Sequence, residues 1–330
     1  MLLKFFYSRY VLEPLSDGGK SRVERREGAL LKIAWPNGNI GFADLLPWPS
    51  RGDQELIVHI EQIKKGMISS LLEQSIYFAK RDAVWRSENK SAYVGTKRSK
   101  NSFYINNLVK LRESDLAFRK QEGYSTLLLE MGNNVLTEET EVLNRILKQT
   151  DFLVRIQFAT KINLQIFTQL FSSIDIKFRR KIEFVIEPFP FDFAQWTEAS
   201  KLAKLAIDES LEKVIGSNQD LSKSFQVILL RPSRLDLSKG LQFCIKQNLK
   251  LVIASSVDHP VGIGHAIVSA SELQYTYPHM VLDSICLHHH VYKTGPYQLK
   301  MHTQGPFIVG VDGKGVGFDN LLSLESWLPI

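Results

Sequence analysis

Two acids stand where short apolar runs stop: Glu187 after Phe184-Val185-Ile186, and Asp208 after Leu205-Ala206-Ile207. A third run, Phe225-Gln226-Val227-Ile228-Leu229-Leu230, delivers a cation, Arg231, at the same kind of position. Carboxylates at the C-terminal ends of neighbouring parallel strands are how an α/β barrel offers oxygen ligands to a hard divalent cation. The chemistry to expect is that of a magnesium-type site on the reaction face of an enzyme fold.

Such residues need a frame of strands that end together. From about residue 101 the chain alternates strand and helix, the sign of a parallel sheet. Eight strand candidates follow one another: Phe103–Leu108, Thr126–Glu130, Phe152–Phe158, Lys181–Glu187, Lys204–Asp208, Phe225–Arg231, Leu249–Ala254 and roughly Met280–Leu287. Helical patterns lie between them. In Thr137–Leu147, Glu138, Glu139 and Glu141 crowd the first turn, where negative charge suits the helix dipole. Eight βα units predict a closed (β/α)8 barrel of the TIM type.

Residues 1 to about 95 read as α+β. A strand, Gly28–Trp35, turns at Pro36-Asn37-Gly38-Asn39 into a partner, Ile40–Leu45. A Pro-rich loop and two helical patterns, Leu56–Leu72 and Glu73–Trp85, complete it. The expected division is a capping domain over 1–95, completed by about 305–330, with the barrel over 101–304.

The 330 residues suffice for one large domain and a smaller one, and the net charge of +6 is spread along the chain. The cluster Lys97-Arg98-Ser99-Lys100 reads as a solvated linker, so no nucleic-acid partner is expected. Cys244 and Cys286 lie in apolar surroundings and read as buried thiols of a reducing cytoplasm. The first ten residues are interrupted by Lys4 and Arg9, which suits a strand better than a signal peptide. No apolar stretch approaches the roughly 20 residues that span a bilayer. A cytoplasmic protein without membrane contact is expected; its oligomeric state is not legible.

With those elements in order, the chain resembles the enolase superfamily, in its muconate-lactonizing subgroup. The likeness is strongest to the o-succinylbenzoate synthases of menaquinone biosynthesis. Five segments carry it: Gly41–Pro49, Ile186-Glu187-Pro188, Ala206-Ile207-Asp208-Glu209-Ser210, Leu230-Arg231-Pro232-Ser233-Arg234 and Ala254–Gly262. The resemblance implies a dehydratase that removes a proton next to a carboxylate, with Mg²⁺ binding that carboxylate and stabilising the enediolate. It implies Glu187 and Asp208 as metal ligands, Arg231 facing the enolate, and Ser255 or Ser256 binding the carboxylate of a small-molecule substrate.

The chain also departs from that pattern. Leu128 and Glu130 stand where the family has two lysines, Gln157 replaces an aspartate ligand, and Arg231 replaces a third lysine. An amide oxygen still suits Mg²⁺, so either Gln157 or Glu130 completes the metal site. Arginine stays protonated and cannot serve as a base, which leaves Glu130 as the candidate. Arg231 pairing structurally with Asp208 or Glu187 is a second reading. An inactive homologue that binds a carboxylate ligand or a partner is the alternative function.

Three further features are noted. Consecutive residues on a strand alternate faces, so at most two of His288-His289-His290 share a side, and a loop is expected there. Asp258 is expected to cap the helix beginning at Pro260, and His259 to titrate near the mouth. Ser16–Ser21 reads as a lid or an ordinary loop.

Overall fold

The computed structural model describes residues 3–15, 24–95, 98–287 and 291–330. The histidine triplet, the Ser16–Ser21 loop and Lys97 lie outside them. The first layer is an antiparallel meander of β1 (Lys4–Leu12), β2 (Arg26–Ala34) and β3 (Ile40–Leu45). Its inner face, with Leu31 and Ile33, packs on α1 (Leu56–Lys64) and α2 (Ser70–Ser87). The single helix expected over Leu56–Leu72 is broken. Gly66, at φ +70°, follows the end of α1, and Ser69 caps α2 by accepting from the Leu72 amide. Close packing of α2 on β3 requires Gly41, where a Cβ would fall 1.9 Å from the Ala79 carbonyl oxygen.

Seven parallel strands follow in chain order: β4 (Phe103–Ile105), β5 (Thr126–Met131), β6 (Leu153–Phe158), β7 (Ile182–Ile186), β8 (Leu205–Ile207), β9 (Val227–Leu230) and β10 (Lys250–Ile253). Between them run α3 (Glu113–Gln121), α4 (Leu136–Gln149), α5 (Leu164–Ser172), α6 (Ile176–Arg179), α7 (Phe193–Ala199), α8 (Leu211–Val214) and α9 (Leu237–Gln247). Helix α10 (Pro260–Thr276) follows β10.

The eighth stave is irregular. Segment 281–285 makes isolated bridges, Val281 and Ile285 to Leu251 and Ala254 on one side and Ser284 to Asn101 on the other. The Asn101 amide reinforces this seam. Its Oδ1 accepts from Ser284 Oγ at 2.9 Å and from the Cys286 amide at 3.0 Å. The barrel is thus closed, with one ragged stave.

Side-chain alternation sorts the strands into two cores. Leu128, Phe184, Ile186, Ala206, Val227, Leu229, Val252 and Ala254 fill the barrel interior. Leu127, Leu129, Val185, Ile207, Ile228 and Leu230 face the helices. Burial on both faces explains why these strands read as continuous apolar runs.

After α10 come α11 (Pro296–Lys300), β11 (His302–Gln304), β12 (Phe307–Gly310), α12 (Asp319–Leu324) and β13 (Leu328–Pro329). Strand β13 adds to the edge of β1, pairing Phe6 with Pro329. The chain therefore finishes in the layer where it begins. Ser99, expected in a solvated linker, is buried and donates its amide to Ser271 Oγ at 3.1 Å. No helix among the described residues is long and apolar enough to cross a membrane.

Candidate active site

At the C-terminal ends of the strands the interior stops being apolar. Continuing the inward alternation gives Glu130 on β5, Gln157 on β6, Ile186 on β7, Asp208 after β8 and Arg231 after β9. These five line one cavity of about 110 Å³, with Tyr104, Lys161, Glu187, Glu209, Trp48 and Arg51. A second cavity of about 470 Å³ adjoins it. Arg51, Lys161, Glu187, Asp208, Glu209 and Arg231 line both.

Asp208 and Arg231 form a bidentate pair, with Nε to Oδ1 at 2.7 Å and Nη2 to Oδ2 at 2.6 Å. Arg231 also donates Nη1 to the Ser255 carbonyl. Burial alone would raise the Asp208 carboxyl, but the Arg231 charge and hydrogen bonds outweigh it and hold it below the usual carboxylate range. The same pairing overcomes burial at Arg231 and raises its guanidinium further.

Glu187 is out of phase with the inward series. Strand β7 ends at Ile186, and Glu187 adopts φ +35°, a strained backbone for a residue with a side chain. Its carboxylate turns onto the next loop, accepting from Ser210 Oγ at 2.7 Å and from the amides of Asp208 and Ser210 at 2.9 and 3.2 Å. Lys161 Nζ lies 3.5 Å from Glu187 Oε1 and donates to the Glu187 carbonyl at 2.8 Å.

Glu130 is buried and accepts from Gln157 Nε2 at 2.8 Å, Asn133 Nδ2 at 2.9 Å and the Tyr104 hydroxyl. Burial, then the Glu130 charge, raise the Tyr104 phenol and keep it protonated as a donor. Of the four acids at the cavity, Glu130 alone has no ion pair among the described residues.

Two of the three expected metal ligands are turned to other partners, Glu187 to Ser210 and Asp208 to Arg231, while Gln157 donates its Nε2 to Glu130. Among the described residues, no three His, Cys, Asp or Glu side chains group as a metal site. On β7 the inward residue in register with Gln157 and Ala206 is Ile186, which offers carbon where a dication takes oxygen. As arranged, this donor set does not fit Mg²⁺.

The two serines are buried and do not line the cavity. Ser256 Oγ pairs with Ser233 Oγ at 3.0 Å, while Ser255 Oγ has no hydrogen-bond partner among the described residues. His259, expected to titrate near the mouth, is buried, and burial depresses it to about 3. It is His259, not Asp258, that caps α10, accepting from the Val261 amide. Asp258 instead binds the Ser256 amide at 2.8 Å.

Two cavity cations are not singled out by the sequence. Lys161 lies in the loop beyond β6, and its only textual signal is that it follows a strand end at the barrel mouth. Arg51 ends the one-turn helix Pro49–Arg51, and its guanidinium stacks 3.6 Å from the Trp48 ring. Burial, then nearby Arg231, lower the Arg51 guanidinium.

The profile of the family "O-succinylbenzoate synthase, N-terminal domain" matches residues 5–85. The whole chain is 38% identical over 330 residues to an o-succinylbenzoate synthase of Bdellovibrio bacteriovorus, covering 100% of this chain and 99% of that protein. The fold matches a substrate-liganded L-Ala-D/L-Glu epimerase from Bacillus subtilis, with TM-score 0.73 and 15% identity over 95% of this chain and 97% of that one. It also matches an enolase superfamily member from Roseovarius nubinhibens complexed with magnesium, with TM-score 0.69 and 14% identity over 96% of this chain and 95% of that one. At such identities these two likenesses speak to the fold alone.

Proposed function

Because this chain belongs to the o-succinylbenzoate synthase family of the enolase superfamily, we propose that it dehydrates a cyclohexadiene carboxylate to o-succinylbenzoate for menaquinone synthesis in the cytoplasm. Full-length identity to a named synthase is the observation that carries this reading. The alternative of an inactive homologue gains no support from that relative. We take the β1–β3 layer with β13 as the cap, and the barrel as the body that holds the reacting groups.

Glu130 is the proton acceptor in this reading. It lines the cavity, is buried, and has no counter-cation among the described residues to tie it up. It takes the proton next to the substrate carboxylate, and the electron pair moves into the carboxylate as an enediolate. That pair then returns to form the ring double bond as the C–O bond breaks. The departing hydroxide takes the proton back from Glu130 and leaves as water, so atoms and charge balance. The product ring is aromatic, which makes the elimination favourable and the demand on the site small.

Arg231 supplies positive charge to the enediolate. Two of its five N–H groups serve Asp208 and one serves Ser255, which leaves two without a partner among the described residues. Mg²⁺ was expected to do this work through Glu187, Asp208 and Gln157. Those residues do not fit it here, so no step is assigned to a metal. The Ser255 hydroxyl, without a partner among the described residues, is a candidate contact for a substrate carboxylate.

The test is direct. Purified protein incubated with the cyclohexadiene substrate should form o-succinylbenzoate far above the uncatalysed rate. A rate equal to background rejects the reading.

A further inference from the structure

The two cavities meet at an ion cluster drawn from both layers of the molecule. Arg51 comes from the loop after β3 and Lys161 from the loop after β6. Between them lies the carboxylate of Glu209, 2.9 Å from Arg51 Nη1 and 4.0 Å from Lys161 Nζ. All three residues line both cavities. The smaller cavity holds Glu130, and the other is about four times larger.

The three members differ in how firmly they are held. Arg51 is fixed from below by the Trp48 ring, and Lys161 by the Glu187 carbonyl and carboxylate. Glu209 has no hydrogen bond or ion pair other than these two among the described residues, and its side chain is 38% exposed. It can therefore leave for water at little cost, while the two cations stay in place.

We propose that Arg51 and Lys161 form a subsite for a substrate carboxylate, and that Glu209 occupies it as a resident stand-in until the substrate displaces it. A bound carboxylate would accept from the Arg51 fork and from the Lys161 ammonium, the same two donors that now face Glu209. Its arrival would swing Glu209 outward and join the two cavities into one. The cations would then supply, from side chains, positive charge that the donor set cannot hold as Mg²⁺. The subsite rests on the dehydratase reading above, since it names how that substrate is held.

The test is calorimetric titration with o-succinylbenzoate in a chelating buffer, with far-ultraviolet circular dichroism and urea midpoints to certify each fold. Glu209→Gln should tighten binding about two- to fivefold, because an exposed competitor of modest strength is removed. Arg51→Met and Lys161→Met should each weaken binding about tenfold or more. Arg51→Met placed on Glu209→Gln should erase the gain. Product that binds the parent protein but is indifferent to all three positions, or that binds Glu209→Gln more weakly, overturns the subsite alone. Product that fails to bind the parent protein overturns both the subsite and the dehydratase reading.

Discussion

Arg231 holds both carboxylate oxygens of Asp208, at 2.7 and 2.6 Å, across two neighbouring strand ends. Both side chains are largely buried, 15% and 9% exposed. Removing one partner leaves the other charge stranded in the barrel mouth. Asp208→Ala should therefore lower folding stability by about 3–5 kcal/mol, read from urea denaturation. A loss below about 1 kcal/mol would mean that water reaches the pair freely.

Glu130→Gln keeps the shape of the side chain and removes its capacity to accept a proton. The expected outcome is a fall in kcat of about 10²–10⁴-fold, the usual worth of a positioned acid–base group. KM should move by less than about threefold, since the cations that hold the substrate are elsewhere. An unchanged kcat would relieve Glu130 of that role.

Exhaustive chelation tests the donor-set argument. Activity should survive it within about twofold, and added Mg²⁺ should neither raise kcat nor give a binding isotherm. An enzyme killed by chelation and restored by Mg²⁺ would show that Glu187 and Asp208 re-arrange around the ion.

A pH effect on stability arises at the contact between the first layer and the barrel. Asp44 on β3 is buried against Tyr10, Arg26, Asp258 and the His259 amide. Burial, then the Asp258 charge, raise its carboxyl to about 8. A raised folded value means that the folded state keeps a proton the unfolded state has lost. This contribution is full below about 4, the unfolded carboxyl value, and disappears as pH rises through about 8. Asp44→Asn should therefore gain stability relative to the parent from pH 5 to about pH 8 and level off above it, by urea midpoints. A difference that does not vary with pH would refute the assignment.

The barrel was legible because parallel strands buried on both faces leave unbroken apolar runs, such as Val227–Leu230. The eighth stave was placed, but not its raggedness, because its isolated bridges join residues far apart in the chain, helped by the Asn101 side chain. The identities at Glu130, Asp208 and Arg231 were readable as strand-end positions. The role expected of Glu187 ran ahead of its geometry: one residue of phase and a positive φ turn its carboxylate toward Ser210. Lys161 and Arg51 could not be found by strand patterns at all. Both sit in loops, where sequence carries little about direction.

The Asn101 amide joins three stretches: the approach to β4, the ragged stave through Ser284 and Cys286, and the returning tail through Pro306. At this seam one planar side chain uses its acceptor twice and one of its donors, beside two backbone bonds, from the Ser284 amide to the Lys100 carbonyl and from the Ser102 amide to the Ser284 carbonyl. Swapping in aspartate would offer the wrong polarity to Pro306, and leucine would offer nothing to the Cys286 amide. Losing this amide would therefore loosen three stretches of chain at once, while the backbone bonds across the seam remain to hold the ring shut.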